Sequence, residues 1–193
     1  MSESVLDKAG LLRRARETGG LVNEDLSGID LQNEDLSGLD FSRSVLDGAN
    51  LKGAHLTETR LHDASLKGAD FTGAKAKRIY LVGANLLGAN LSGADMEGAF
   101  LSGANVGGAD FTGVNLKKSR IGVVQASFPN ESGRATSFRN ADLEGAVINA
   151  TDFRGVDLRG ANLKNAFMYE AKLRGAIADK TQFDAAVTMA ETY

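Results

Sequence analysis

Residues that could perform acid–base, nucleophilic or metal chemistry are sparse in this sequence. The 193-residue chain has no cysteine and two histidines, His55 and His62. Without cysteine there are no thiolate zinc sites, no cysteine nucleophiles and no disulfide framework. Neither histidine has an acid and a nucleophile around it, and no group of His, Asp and Glu has the spacing of metal ligands. We therefore predict no catalytic residues, no metal, no cofactor and a protein that is not an enzyme.

Composition excludes several other classes of function. Residues 103–108 are glycine-rich, but no Gly-Lys-Ser/Thr follows them, so they do not make a phosphate-binding loop. The formal net charge is −3, whereas a dedicated nucleic-acid-binding domain is basic. No apolar run reaches the roughly 18 residues of a membrane-spanning helix. The first residues carry no apolar segment typical of a secretion signal. We expect no nucleic-acid partner, no membrane span and a cytoplasmic location.

The sequence is dominated by a repeat of five residues. An apolar residue, most often Leu, occupies every fifth position from Leu26 to Ile121 and again from Phe138 to Leu173. The unit reads Ala-Asp/Asn-Leu-x-Gly. A period of five fits neither the 3.6 of a helix nor the 2 of a strand. A chain that turns a corner every five residues directs the same two side chains inward each time, which predicts a β-solenoid of stacked coils.

This pattern resembles the pentapeptide-repeat family. The resemblance implies an all-β solenoid, a right-handed quadrilateral β-helix with four pentapeptides per coil and about 7.5 coils. We assign residues 1–22 to an N-terminal capping helix, 23–185 to the β-helix and 186–193 to a short C-terminal helical cap. The helix is predicted over 4–17, and its apolar stripe comprises Val5, Leu6, Ala9 and Leu12. Capped ends predict a monomer or a discrete dimer.

The repeat is interrupted at 122–137. Ile121 and Phe138 are 17 residues apart, two beyond a multiple of five. One interpretation is a 12-residue loop between consecutive sides. The other is a two-residue bulge near 122–125, after which Phe128 and Gly133 continue the repeat. Pro129 and the residues that follow it are typical of a turn.

Residues 20 apart should stack on one side of the rod. One such series forms an acid and amide ladder: Asp30, Asn50, Asp70, Asn90, Asp110. A second series reads Asp40, Arg60, Tyr80, Phe100, Arg120, and its last four members depart from the Asp/Asn rule. With basic residues of the preceding side it predicts a basic, aromatic-centred surface. The candidate partner-binding residues are Arg60, Tyr80, Phe100, Arg120, Val82, Arg78 and Lys118. The alternative is that the stacked aromatic rings only stabilise neighbouring coils.

The sequence therefore favours a non-enzymatic scaffold that presents a rigid β-helical surface to an unidentified protein partner. Two alternatives come from the resemblance. Some members of the family are DNA-mimicking topoisomerase (gyrase)-binding proteins of the quinolone-resistance type. Others are domains of bacterial effector or secretion-accessory proteins.

Overall fold

A short helix precedes a long parallel ladder. The computed structural model describes residues 8–127, 129, 133–179 and 186. Helix α1 spans Lys8–Thr18 and is the only helix in those ranges. It ends where Gly19 adopts a φ of 81°, a conformation that glycine reaches without strain. No helix in the described ranges has the length and hydropathy to cross a bilayer.

Helix α1 packs against the first coil. Leu12 and Ala15 are buried in the same apolar cluster as the core of the rod. Ion pairs join Lys8 to Glu34 at 3.0 Å and Arg14 to Glu24 at 2.8 Å. The predicted stripe is wrong at one described position. Ala9 is exposed, and Ala15 takes part instead because it lies one turn beyond Leu12 on the same face. Val5 and Leu6 lie outside the described residues, as does nearly all of the predicted C-terminal cap.

The ladder repeats every 20 residues. Parallel bridges join residues such as Asn50 and Asp70, or Asn90 and Asp110, which confirms the predicted coil. Four five-residue units therefore complete one turn. The first bridge begins at Gly20 and Leu21 is buried, so the β-helix starts within the segment 1–22 that was assigned to the capping helix.

Each unit is a flat segment followed by a tight turn. In the unit centred on Leu91, the Asn90 N–H donates to Ala69 O of the previous coil at 2.9 Å. The Leu91 N–H donates to Asp110 O of the next coil at 2.8 Å. The Ala94 N–H then closes the turn onto Leu91 O at 3.1 Å, with Gly93 at a φ of 66°. Glycine suits this position because a left-handed φ costs it no steric strain.

The Asp and Asn before each central residue are structural. Asp70 Oδ1 accepts the Thr72 N–H at 3.0 Å, and this bond fixes the corner. The expected ladder of amides and carboxylates holds at Asn50, whose Nδ2 donates to Asp30 Oδ1 at 2.9 Å. It is indirect at Asn90, whose Nδ2 donates to the Thr72 hydroxyl at 3.0 Å, because that hydroxyl in turn donates to Asp70 Oδ1.

The interruption is neither of the two predicted arrangements. Gln125 bridges both Asn105 and Asp152, and Ala126 is buried, so 122–126 is a regular unit. Bridges across the interruption, such as Asp110 to Ser137, join residues 27 apart rather than 20. Seven residues are therefore inserted between Ala126 and Thr136, and the coil continues beyond them on the next side.

Four sides follow one another in each coil. We name them by the residues that form the bridges. The amide side carries Asp30, Asn50, Asp70, Asn90, Asp110, Ser137, Asp157 and Ile177. The charged side carries Asp35, His55, Lys75, Asp95, Asn115, Asp142 and Asn162. The aromatic side carries Gly20, Asp40, Arg60, Tyr80, Phe100, Arg120, Val147 and Phe167. The fourth side carries Asp25, Val45, Ser65, Asn85, Asn105, Gln125, Asp152 and Lys172.

Buried hydroxyl groups replace alanine at a few inward positions. Ser44 donates to Leu21 O at 2.6 Å, and Thr59 donates to Leu36 O at 2.9 Å. Thr136 follows the insertion, and its hydroxyl both donates to Ala126 O at 2.7 Å and accepts the Gly108 N–H at 3.0 Å. This one side chain therefore joins the residue before the insertion to the neighbouring coil.

Replacing Thr136 with valine is expected to lower the free energy of unfolding by about 1–3 kcal/mol, because it leaves a buried N–H without an acceptor. Thr59→Val removes only a donor to a carbonyl and should cost less. Chemical denaturation of both variants measures the difference. An equal or smaller loss for Thr136→Val would contradict the assigned role.

Candidate partner-binding surface

The aromatic side brings together the four residues that the 20-residue spacing selects. Bridges join Arg60 to Tyr80, Tyr80 to Phe100, and Phe100 to Arg120. The rings of Tyr80 and Phe100 are stacked, with centroids 4.9 Å apart and an interplanar angle of 2°. The guanidinium carbon of Arg120 lies 5.7 Å from the Phe100 ring centroid, within range of a cation–π interaction.

His62 joins this group rather than standing alone. Its ring lies 5.6 Å from that of Tyr80 at a tilt of 44°. Burial opposes ionisation of the neighbouring Asp40, but hydrogen bonds from Ser42 and the charges of Arg60 and His62 lower its pKa overall. His55 lies on the charged side, where the Lys75 amino group is 3.2 Å from its Nε2.

The apolar character of this side extends beyond the predicted residues. The corner between the aromatic side and the fourth side is here called the apolar corner, and it carries Val22, Val82, Val123 and Tyr169. Val147 and Phe167 continue the midline of the aromatic side past the insertion. Phe167 is 49% exposed and Tyr169 is 46% exposed. Their place could not be derived from sequence because it depends on knowing that the insertion is seven residues long.

The predicted basic flank is largely neutralised. The corner between the charged side and the aromatic side is here called the charged corner, and along it acids and bases alternate. Lys77 pairs with Glu97 at 3.0 Å, and Lys117 pairs with Asp142 at 3.1 Å. The hydrogen bond from Lys77 lowers the pKa of Glu97, and the same bond raises the pKa of Lys77.

The other two predicted flanking residues also lie at the charged corner. Arg78 pairs with Glu58 at 3.2 Å. Lys118 is exposed beside it. The expected basic patch is therefore a charge-balanced edge, because neighbouring coils place acids at the same position. Within the described part of the chain, Arg60 and Arg120 form no ion pair.

Known proteins share this architecture. The family model for pentapeptide repeats (8 copies) matches residues 25–63, 64–103, 136–175 and 151–187. No curated protein matches the sequence. Similar solved structures include trypsin-treated QnrB1, a plasmid-mediated fluoroquinolone resistance protein, at 22% identity and a TM-score of 0.50 over 85% of this chain and 91% of that chain.

Two further structures are similar over different lengths. HetL, a pentapeptide repeat protein involved in heterocyst differentiation regulation in the cyanobacterium Nostoc sp. strain PCC 7120, has 24% identity and a TM-score of 0.44, covering 90% of this chain and 96% of that chain. A pentapeptide repeat protein from the Arabidopsis thaliana thylakoid lumen has 41% identity over 49% of this chain and 69% of that chain, with a TM-score of 0.31.

The fold of these proteins is a right-handed quadrilateral β-helix, which agrees with a ladder that returns to the same side after four units. The matched segments lie on both sides of the insertion and together cover more than half of the sequence. The chain belongs to the pentapeptide-repeat family.

Proposed function

We propose that this protein is a non-enzymatic scaffold that binds a protein partner through its aromatic side. One observation carries the proposal. Of the six large apolar side chains that are exposed in the described residues, all but Ile177 lie on the aromatic side or at its apolar corner. Exposed apolar groups that are scattered need no explanation, but their concentration on one side indicates an interaction surface.

The charges on this side favour binding as well. Arg60 and Arg120 lie at the two ends of the Tyr80–Phe100 stack and form no ion pair in the described chain. Aromatic and arginine side chains carry much of the binding energy at protein interfaces. A partner with an apolar centre and flanking acidic or aromatic groups would satisfy both features.

Mimicry of DNA is supported less well. A topoisomerase-binding mimic must offer carboxylates to the basic groups of the enzyme. Here Asp70 pairs with Lys52 at 3.2 Å, and Asp110 pairs with Arg134. The identity of 22% to QnrB1 supports a common fold and no common partner. We expect the protein to leave gyrase supercoiling unchanged, with or without fluoroquinolone.

Replacing Tyr80 and Phe100 together with alanine is expected to weaken partner binding by about 2 kcal/mol or more, roughly 30-fold. The fold should lose only about 1 kcal/mol, the value of an aromatic pair, because the buried Leu81 and Leu101 hold the coils. Capture of partners from a lysate of the source organism and thermal melting measure the two effects.

Ile177→Ala is the matched control, since it removes an exposed apolar side chain from the opposite side. A large fall in melting temperature with capture intact would show that the Tyr80–Phe100 stack is purely structural.

A further inference from the structure

We propose that the partner of the aromatic side is a second copy of this chain, packed antiparallel about a two-fold axis that passes between Phe100 and Arg120. The inference rests on the proposed function, because it uses the same surface. In such a pairing, side chains on the midline of one copy face those on the midline of the other. The 20-residue ladder fixes which residues meet.

The midline is self-complementary in this register. Phe100 faces Arg120 of the second copy, and Arg60 faces Phe167 of the second copy. Both arginines therefore meet an aromatic ring, and Tyr80 meets Val147 between them. Moving the axis by one coil, to lie between Tyr80 and Phe100, would place Arg60 against Arg120. A parallel dimer would place Arg60 against Arg60 of the second copy and Arg120 against Arg120 of the second copy. Like charges disfavour both alternatives.

The charged corner is complementary about the same axis. Two positions after each bridge residue of the charged side, the coils carry Thr57, Lys77, Glu97, Lys117, Glu144 and Lys164. The two-fold axis sets Glu97 opposite Lys117 and Lys77 opposite Glu144. Both of these pairs are of opposite charge, which favours an antiparallel contact, and Lys164 faces the uncharged Thr57. At the apolar corner the same axis sets Asp63 of one copy opposite Glu170 of the other, and this like-charged pair disfavours the contact.

Val123 supplies an independent observation. It is 64% exposed and adopts a φ of 61°, a left-handed conformation that strains a β-branched residue. The coil imposes this φ at its corners, and the other described corners meet it with Gly, Ala, Asn or a charged residue, so a valine there is exceptional. In the proposed dimer Val123 faces Gly103 of the second copy, where the absence of a side chain leaves space for it.

The inserted residues leave and rejoin the ladder away from the aromatic side. They depart between Gln125 on the fourth side and Ser137 on the amide side. The amide side lies opposite the aromatic side because two corners separate them. The contact extends over six coils, and Arg60 and Phe167 at its two ends are about 24 Å apart. A strip of this length is typical of a weak, concentration-dependent dimer rather than an obligate one.

Sedimentation velocity of the full-length protein over a range of concentrations tests the dimer. Phe167→Arg places a cation against Arg60 of the second copy and should raise the dimer dissociation constant at least tenfold. Ile177→Arg is the control, since Phe167 and Ile177 are each 49% exposed and lie on opposite sides. Val123→Gly should weaken the dimer while leaving the melting temperature unchanged or higher, because it removes strain.

Cysteine cross-linking tests the register, since the native chain has no cysteine. The variants His62→Cys and Tyr169→Cys are prepared separately. Both residues lie at the apolar corner, two positions after Arg60 and Phe167, and the two-fold axis sets them opposite each other. Two copies of the same variant would hold their cysteines about 24 Å apart along the rod, because five coil spacings separate them. A short bismaleimide should therefore link the two variants only after they are mixed. Dimers linked equally well by either variant alone would overturn the proposed register.

Two further outcomes separate this inference from the proposed function. A protein that stays monomeric at all concentrations, yet loses another captured protein on Tyr80→Ala with Phe100→Ala, overturns self-pairing and keeps the binding surface. A dimer that is unaffected by Phe167→Arg lies elsewhere on the molecule and overturns the inference.

Discussion

Leu91→Ala is expected to lower the free energy of unfolding by about 2–5 kcal/mol. Leu91 is 0% exposed, and Phe71 and Phe111 occupy the same position one coil away on either side. Removing three carbons between two aromatic rings leaves a cavity that the ladder cannot close, because coil spacing is fixed by backbone hydrogen bonds. Urea denaturation followed by circular dichroism measures the loss.

Ser92→Ala is the matched control for this substitution. Ser92 is the next residue, and it points outward at the corner with its side chain half-exposed. A substitution there should change the free energy of unfolding by no more than about 0.5 kcal/mol. Equal destabilisation by the two variants would contradict the assignment of inward and outward positions.

Deleting residues 1–18 is expected to convert a discrete species into end-to-end oligomers or aggregates. The deletion removes Leu12 and Ala15 from the end of the core and exposes Leu21 and Leu26, which are each 5% exposed in the intact chain. It also exposes the backbone groups of the first coil, and an uncovered ladder pairs readily with another chain. Multi-angle light scattering measures the mass.

This experiment is best made in the Phe167→Arg background, so that side-by-side pairing does not contribute to the mass. Circular dichroism verifies that the truncated chain keeps its β-helix. If the truncated chain is folded, soluble and unchanged in oligomeric mass, helix α1 does not act as a cap.

The repeat itself was predictable because each side of the rod receives one five-residue unit from every 20 residues of sequence. Arg60, Tyr80, Phe100 and Arg120 depart from the Asp/Asn rule at that interval, which supports from the sequence the four units per coil that the family resemblance implies. The bridges of the structure join residues at the same interval.

The insertion could not be placed from sequence for a physical reason. The last regular unit before the insertion is centred on Ala126, a small residue at a position that Leu usually occupies. The first unit after the insertion begins with a polar residue, Thr136. Both residues are buried, but neither has the size or polarity that the repeat predicts. A hydroxyl bonded to backbone groups replaces apolar packing at this junction.

The candidate surface was predicted in part. Stacking of Tyr80 on Phe100 follows from spacing, whereas the neutralisation of Lys77 and Lys117 depends on side-chain conformations that spacing does not determine. Phe167 and Tyr169 were not assigned to the surface because their side is known only once the bridges across the insertion are known.

The seven-residue insertion has a consequence for how such a chain can change its length. Extra residues that leave at a corner and return to the same ladder, as between Gln125 and Ser137, keep every downstream residue on its original side. Adding or losing one regular five-residue unit would instead rotate the remainder of the molecule by a quarter turn and move Phe167 away from the line of Tyr80. Length changes that preserve both the fold and a binding surface running along the rod are therefore restricted to whole coils or to excursions outside the ladder.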